Sequence, residues 1–282
     1  MIESRPSVTA ERVAMRRAVH QVLDAPPIFE DPLALAIAGL SAAGVPSDAG
    51  ETARVSRQRR LFIAARSRYV EDELARLVAG GVDQYVVLGA GLDTFAYRNP
   101  YALLRVFEVD HPATQAWKRE RLARSGIDVP PSAAFAACDF ERDRLSAALA
   151  QAGFNTARPA LFGWLGVIAY LDVEAVLNTL RYAASCAAGT AIVFDYAIPP
   201  DRLPPRQRER FDEIAQRVAA AGEPWRTFFE PAHIEATLRA LGFSEIEDVD
   251  ADALNRRYFT SHTGGLRIEG VARMAHIARA RV

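Results

Sequence analysis

Two glycines and an acidic residue downstream of them are the residues best placed to do chemistry in this sequence. In the stretch VVLGAGLDTFAYR, the short apolar run Tyr85–Leu88 suits a buried strand that stops at Gly89 and Gly91. Glycine lacks a Cβ atom, so the chain can turn sharply here and a ligand can approach the main chain. Asp110 ends the next apolar run, RVFEVD, 21 residues after Gly89. An acidic side chain at about this distance binds ribose hydroxyls in doubly wound sheets, which indicates a site for an adenosine group.

A third strand end extends this candidate site and narrows the choice of ligand. Thr94 stands where the dinucleotide fingerprint G-x-G-x-x-G has its third glycine, which weakens the case for a pyrophosphate-containing cofactor such as NAD or FAD. Asp139 and Phe140 end the third apolar run, where a carboxylate can bind the adenine amino group and an aromatic ring can stack on the base. The three strand ends therefore predict one crevice for a cofactor without phosphates.

The cysteines and histidines show no pattern for metal binding or nucleophilic catalysis. Cys138 and Cys186 lie in small-residue or apolar surroundings, which predicts buried free thiols. The five histidines are isolated and lack metal-ligand spacing, so no metal site is expected. His111 adjoins the predicted crevice, but we assign no residue as catalytic.

The elements that position these residues alternate between apolar runs and helical stretches, which predicts βαβ units and a parallel sheet. The predicted strands are residues 85–88, 105–109, 134–138, 160–165, 190–196, 245–249 and 271–277. The predicted helices between them are residues 112–125, 145–152 and 173–187, followed later by the segment HIEATLRALGF.

Two segments fall outside this alternation. Residues 1–80 predict a helical N-terminal cap, interrupted by Pro26-Pro27 and by the loop 41–50. Residues 81–282 predict the core, with a lid insertion at about 200–230. The charged stretch 206–221 within the insertion has an apolar stripe at helical spacing, formed by Phe211, Ile214 and Val218. This stripe could rest on the mouth of a pocket, pack the helix on the sheet, or form a homodimer contact.

The composition argues against two classes of partner. The chain has 34 Lys+Arg against 35 Asp+Glu, and this formal net charge of -1 gives no overall field for nucleic acid or an anionic membrane. No apolar run approaches the roughly 20 residues that a membrane helix needs, and the N-terminus lacks a signal-peptide core. We therefore expect a cytoplasmic protein with neither nucleic acid nor membrane as its partner.

The stretches VVLGAGLDTFAYR and FEVDHPATQAWKRERL closely resemble the leucine carboxyl methyltransferase family of S-adenosylmethionine-dependent O-methyltransferases, which includes bacterial enzymes of natural-product pathways. The resemblance continues through TAERVAMRRAVH, EDPLA, IAARSRYVEDEL, GWLGVIAYLDVEAV and IVFDY. It implies an α/β, class I methyltransferase Rossmann-like fold with a seven-stranded, mostly parallel sheet. The seventh strand is expected to be antiparallel. The fold is also expected to have a helical N-terminal cap and an insertion after the fifth strand.

The resemblance also implies which residues bind the cofactor, S-adenosyl-L-methionine. Arg66 matches the family arginine that pairs with the methionine carboxylate, and Arg17 matches a basic N-terminal residue near the cofactor. The others match the turn beneath the cofactor, the ribose-binding acid and the pair beside adenine: Gly89, Ala90, Gly91, Asp110, Asp139 and Phe140. Leu165 is a departure, since protein phosphatase methyltransferases have an acidic residue there, near the methionine amino group. On spacing alone, Arg66 and its neighbours Arg57, Arg59, Arg60 and Arg68 favour a solvated helix face.

The expected reaction is methyl transfer to a carboxylate or acidic hydroxyl of a small molecule, in secondary metabolism. The cofactor supplies a reactive methyl group, so the protein must mainly align an oxygen atom. A carboxylate is already ionised at neutral pH, and the sequence shows no clear general base for an alcohol. The candidate acceptor-binding residues are Tyr170, Tyr196, Trp225 and Phe229. Two alternatives remain open: an NAD-dependent oxidoreductase, and a non-catalytic module that binds an adenosyl ligand.

Overall fold

A computed structural model describes residues 7–45, 51–220, 222–262 and 264–282, with the backbone alone for residues 51–55. Residues 1–6 of the predicted cap, the end of the predicted loop 41–50 and Ala221 of the predicted lid lie outside the described residues.

The centre of the fold is a seven-stranded sheet with the strand order β3-β2-β1-β4-β5-β7-β6. The strands are β1 (Gln84–Leu88), β2 (Arg105–Asp110), β3 (Ala133–Ala137), β4 (Leu161–Trp164), β5 (Ala191–Ala197), β6 (Glu245–Val249) and β7 (Ala275–Arg281). Strand β7 pairs antiparallel with β5 and β6, and the other neighbouring strands pair in parallel. The predicted fold class, including the antiparallel seventh strand, is confirmed.

The sheet is covered on both faces, as the apolar character of β1 predicts. Every residue of β1 is buried. Val86 and Leu88 belong to one apolar cluster, whereas Tyr85 and Val87 belong to another. Because alternate residues of a strand point to opposite faces, these clusters pack on opposite sides of the sheet.

Helices provide these two layers. Those that follow the cap are α4 (Phe95–Arg98), α5 (Pro112–Arg124), α6 (Leu145–Gln151), α7 (Val173–Ala184), α8 (Pro205–Ala220), α9 (Pro231–Ala240) and α10 (Ala251–Tyr258). The predicted strand 271–277 is wrong in its first half, since Gly270–Met274 form a 3-10 helix. Strand β5 ends at Ala197, opposite Ala275, so the residues before Ala275 have no strand residue of β5 to pair with.

The N-terminal segment is helical, as predicted, and reaches the glycine turn after β1. Its helices are α1 (Val8–Leu23), α2 (Ala34–Ala38) and α3 (Glu51–Ala79), and α1 packs on both of the others. A Cβ atom built on Gly91 would lie 3.1 Å from the Cβ atom of Ala10. The start of α1 therefore covers the carboxyl end of β1.

Helix α8 forms most of the predicted insertion after β5. Its apolar stripe, Phe211, Ile214 and Val218, is buried. The ring of Phe211 stacks on that of Trp225, with 5.3 Å between their centroids. The stripe therefore faces the protein. Within the described parts of the chain, no helix combines the length and apolar character needed to span a bilayer.

Candidate active site

The turn after β1 lines a cavity of about 520 Å³ at the carboxyl ends of the parallel strands. Gly89 and Gly91 have φ angles of +65° and +45°, a region that favours glycine. A Cβ atom on Gly89 would lie 2.2 Å from Cγ2 of Val167, so close packing also requires glycine there. Ala90, between them, lines the same cavity. The three predicted turn residues thus lie together in its wall.

Asp110 ends β2, and its carboxylate bonds to the turn. Its Oδ2 atom accepts a hydrogen bond from the N–H of Gly91 at 2.5 Å, and its Oδ1 atom accepts one from the N–H of His111 at 2.7 Å. Burial raises the pKa of the Asp110 carboxyl, and these two backbone donors oppose the rise. A carboxylate oxygen can accept more than one hydrogen bond, so Asp110 can still bind hydroxyl groups in the cavity.

Asp139 and Phe140 follow β3 and line the same cavity. Oδ1 of Asp139 accepts a hydrogen bond from the N–H of Glu141 at 3.0 Å. The ring of Phe140 is half-buried and lies 6.0 Å from that of Trp164, measured between centroids. The structure therefore brings a carboxylate and an aromatic ring together beside the turn.

Arg66 projects from α3 and lines this cavity as well as a second one. Its Nη1 atom lies 2.7 Å from Oδ2 of Asp195 in a buried ion pair. Asp195 also accepts a hydrogen bond from the N–H of Gly166. Arginine has five N–H donors in a planar fork, so this pair leaves donors for a ligand carboxylate. The spacing of the arginines predicted a solvated helix face. That prediction is wrong for Arg66 and also for Arg60, which is buried against Asp24.

Arg17 lines the first cavity, but protein groups already hold its guanidinium. It forms a buried ion pair with Asp31, lies 3.3 Å from Asp93, and donates to the Thr94 hydroxyl at 2.9 Å. This network joins α1 to the segment after the glycine turn, and a cofactor contact by Arg17 stays a prediction. Leu165, at the position of the family acid, is a half-buried part of the same cavity wall.

The second cavity has a volume of about 210 Å³ and adjoins the first. The residues common to both walls are Thr9, Val13, Arg66, Gly166, Val167 and Tyr170. Aromatic side chains make up much of the second wall: Phe62, Tyr170, Tyr196, Phe211 and Trp225. Because α8 supplies Phe211 and Val218, this helix forms one side of the cavity, and its role as a lid stays a prediction.

Three of the four predicted acceptor-binding residues lie in these walls. Tyr170 borders both cavities, and Tyr196 and Trp225 border the second. Phe229 differs, because it lines neither cavity and is buried in the core. Its ring centroid lies 6.5 Å from that of Tyr196, so Phe229 supports the wall from behind.

Sequence reasoning missed three arginines of the second cavity, Arg12, Arg16 and Arg59, and two of them, Arg16 and Arg59, belong to Arg-Arg pairs. Each directly precedes another arginine, Arg17 in α1 and Arg60 in α3, whose partners are buried carboxylates. Consecutive helix residues point about 100° apart, so the first member of each pair faces a different direction from the second. A repeated Arg-Arg pair on two packed helices was the available signal.

Comparison with known proteins identifies relatives that match more than half of this chain. A family model described as leucine carboxyl methyltransferase matches residues 10–184. A Bacillus subtilis protein, YktD, described as an S-adenosyl-L-methionine-dependent methyltransferase, is 34% identical over 205 residues, which cover 72% of this chain and 67% of the relative. A Mycobacteroides abscessus protein with the same description is 36% identical over 171 residues, covering 58% of this chain and 55% of the relative.

Solved structures share the fold at low sequence identity. A DUF574 family protein from Streptomyces avermitilis aligns with a TM-score of 0.62 and 16% identity, over 100% of this chain and 99% of its own. A Thermobifida fusca protein described as a methyltransferase aligns with a TM-score of 0.56 and 17% identity, over 99% and 96%. Together with the family match, the turn and the acidic strand ends show that the chain belongs to the leucine carboxyl methyltransferase family of S-adenosyl-L-methionine-dependent methyltransferases.

Proposed function

We propose that this chain transfers a methyl group from S-adenosyl-L-methionine to a carboxylate or acidic hydroxyl oxygen of a small molecule, in secondary metabolism. The observation that carries the proposal is the shared wall of the two cavities, around Gly166, Val167 and Tyr170. A cofactor in the larger cavity and an acceptor in the smaller one would meet there.

The residues of the first cavity fit this cofactor. The glycine turn brings the main chain close to the cavity, and a side chain at Gly89 would collide with Val167. Asp110 would bind the ribose hydroxyls, Asp139 the adenine amino group, and Arg66 the methionine carboxylate. The bound cofactor supplies an electrophilic methyl group, and the protein holds and orients both reactants.

The choice of an acidic acceptor rests on the groups in the second wall that could take up a proton. Asp195 is paired with Arg66. The Tyr196 hydroxyl donates to Oδ1 of Asp248 at 2.6 Å, and burial together with this hydrogen bond raises the pKa of Tyr196. Protein partners therefore already hold both groups, and neither is placed to act as a general base. An acceptor that is already ionised needs no such base.

The test is methyl transfer from isotopically labelled cofactor to a panel of small carboxylic acids, phenols and alcohols. We expect labelled products from the carboxylic acids or the phenols. A carboxylate product should release its label as methanol in mild alkali, because esters hydrolyse, whereas the ether formed from an acidic hydroxyl should retain it. Transfer only to nitrogen or to unactivated alcohols would contradict the proposal. Tight binding of S-adenosyl-L-homocysteine without turnover across the panel would favour the non-catalytic module instead.

Tyr170 is another group in the second wall that could serve as a base, and its removal separates a carboxylate acceptor from a hydroxyl acceptor. If the acceptor is a carboxylate, Tyr170→Phe should change kcat by less than about tenfold, whereas loss of a general base typically costs about 10²- to 10⁴-fold. Tyr182→Phe, which removes a phenol from outside both cavities, serves as the control.

A further inference from the structure

The second cavity carries an excess of positive charge. Its described lining residues include the four arginines Arg12, Arg16, Arg59 and Arg66, against one carboxylate, Asp195. Arg66 and Asp195 pair with each other. Arg12, Arg16 and Arg59 therefore leave their charge uncompensated within the cavity wall.

Two of these arginines have nitrogen atoms that are hidden from solvent and lack a hydrogen-bond acceptor. They are the Nε atom of Arg16 and the Nη2 atom of Arg59. Burial and the charges of Arg59 and Arg12 lower the pKa of Arg16 to about 10, and burial together with nearby arginines lowers the pKa of Arg59. Arginine side chains are not deprotonated in proteins, so burying these two charges without an anion is costly.

The neighbouring buried arginines show that the fold supplies carboxylates elsewhere. Arg17 pairs with Asp31, and Arg60 places its Nε atom 2.6 Å from Oδ2 of Asp24. Arg16 and Arg59 each adjoin one of these residues in sequence, but among the described side chains neither has an acidic partner within ion-pair distance. The absent partner would be an anion in the cavity that both residues line.

The position of the two arginines distinguishes this anion from the group that is methylated. Arg16 and Arg59 line the second cavity but not the first, so they do not belong to the shared wall where a methyl group would arrive. A carboxylate loses its negative charge when it is methylated. Arginines on the reacting oxygen would therefore stabilise the ground state more than the transition state and slow the reaction.

Resting on the proposed function, we infer that Arg16 and Arg59 bind a second, non-reacting oxyanion of the acceptor, so that the substrate class is a small dicarboxylate with an apolar or aromatic body. The free carboxylate oxygen attacks the methyl carbon with a lone pair, an O–C bond forms, and the S–C bond breaks with its electron pair retained on sulfur. No proton is transferred. The product is a monoester that keeps one carboxylate on the arginines, while the aromatic wall contacts its body.

The experiment compares matched dicarboxylates and monocarboxylates on protein saturated with S-adenosyl-L-homocysteine. The probes are terephthalate, isophthalate, benzoate and monomethyl terephthalate, measured by calorimetry in the wild type and in Arg16→Gln, Arg59→Gln and the control Arg124→Gln. Arg124 is exposed on α5 and lines neither cavity. We expect the dicarboxylates to bind more tightly than benzoate, and each cavity variant to lose about tenfold to a hundredfold in dicarboxylate affinity. Monomethyl terephthalate should retain binding that depends on the arginines.

Several results would overturn the inference. One is equal affinity for monocarboxylates and dicarboxylates, or no preference for any dicarboxylate in the wild type. Another is undiminished dicarboxylate binding in the Arg16→Gln/Arg59→Gln double variant. Methylation of monocarboxylates that does not depend on the two arginines would leave the proposed O-methyl transfer standing and refute the dicarboxylate inference. Arginine-dependent dicarboxylate binding without transfer to any oxygen would instead refute the proposed reaction.

Discussion

Removing Arg66 should affect protein stability and cofactor binding separately, because Arg66 has a protein partner as well as a predicted ligand. The side chains of Arg66 and Asp195 are 9% and 10% exposed, and their charged atoms lie 2.7 Å apart. Removing one member of a buried ion pair costs about 3–5 kcal/mol, since the other charge stays buried without its partner. In Arg66→Ala, Asp195 still accepts the hydrogen bond from the N–H of Gly166. We therefore expect this substitution to lower the free energy of unfolding by about 3 kcal/mol, the low end of that range.

A second substitution separates the two effects. In Arg66→Ala/Asp195→Asn the unpaired charge is gone, so about 2 kcal/mol of the lost stability should return. Affinity for S-adenosyl-L-homocysteine should stay about tenfold to a hundredfold below that of the wild type, because a charge-assisted hydrogen bond contributes about 1.5–3 kcal/mol.

Urea unfolding followed by circular dichroism measures the stabilities, and calorimetry measures the affinities under conditions in which every variant is folded. Arg68→Ala is the control on the same helix. Its side chain is 48% exposed and its ion pair with Asp72 lies at the surface, so its loss should cost at most about 1 kcal/mol. If the double variant binds S-adenosyl-L-homocysteine as the wild type does, Arg66 does not contact the cofactor. A double variant no more stable than Arg66→Ala would contradict the role given to the ion pair.

Three further predictions concern the cavities. Burial raises the pKa of Asp110 above its ordinary 3.8. Acidification should therefore weaken S-adenosyl-L-homocysteine binding while ordinary aspartates are still ionised. In calorimetry, Asp110→Asn should bind this ligand more weakly than the wild type and should lose the pH dependence. Replacing residues 206–220 with a Gly/Ser linker should leave the affinity for S-adenosyl-L-homocysteine within about threefold of the wild type but abolish acceptor turnover, because α8 borders the second cavity. Normal turnover would refute the role of α8 as a lid. Since the charged form of Arg16 is disfavoured in the folded protein, Arg16→Met should raise the thermal midpoint by about 2–4 °C, and a lower midpoint would indicate that Arg16 stabilises the fold.

The residues that sequence reasoning located best are those fixed by strand ends. Gly89, Asp110 and Asp139 each follow an apolar run, and parallel strands bring their carboxyl ends to one edge of a sheet. Their convergence therefore needed no knowledge of side-chain packing. Phe229 shows the limit of this reasoning, because an aromatic residue in an irregular segment can face a cavity or the core with equal chemical plausibility.

The arginines illustrate a second limit. Charge density along α3 suggested a solvated face, but Arg60 and Arg66 have carboxylate partners more than 30 residues away in sequence, and Arg59 lines a cavity. Pairing over such distances is set by how α1, α3 and β5 pack together. No local pattern specifies it.

The two cavities have opposite charge, and this opposition matches the proposed reaction. The first cavity has five carboxylates in its described wall against three arginines, and these acids are Asp93, Asp110, Asp139, Glu141 and Glu223. It suits a cofactor whose sulfonium and ammonium groups outweigh its carboxylate, even though Leu165 supplies no charge. The second cavity has the reverse balance and suits an anion. Transfer of a methyl group from a sulfonium to a carboxylate disperses both charges, so the transition state gains from a wall of low polarity where the reactants meet. Val13, Gly166 and Val167 provide the apolar part of the shared wall. Because Arg16 and Arg59 line only the second cavity, they can bind an anion without holding the oxygen that reacts.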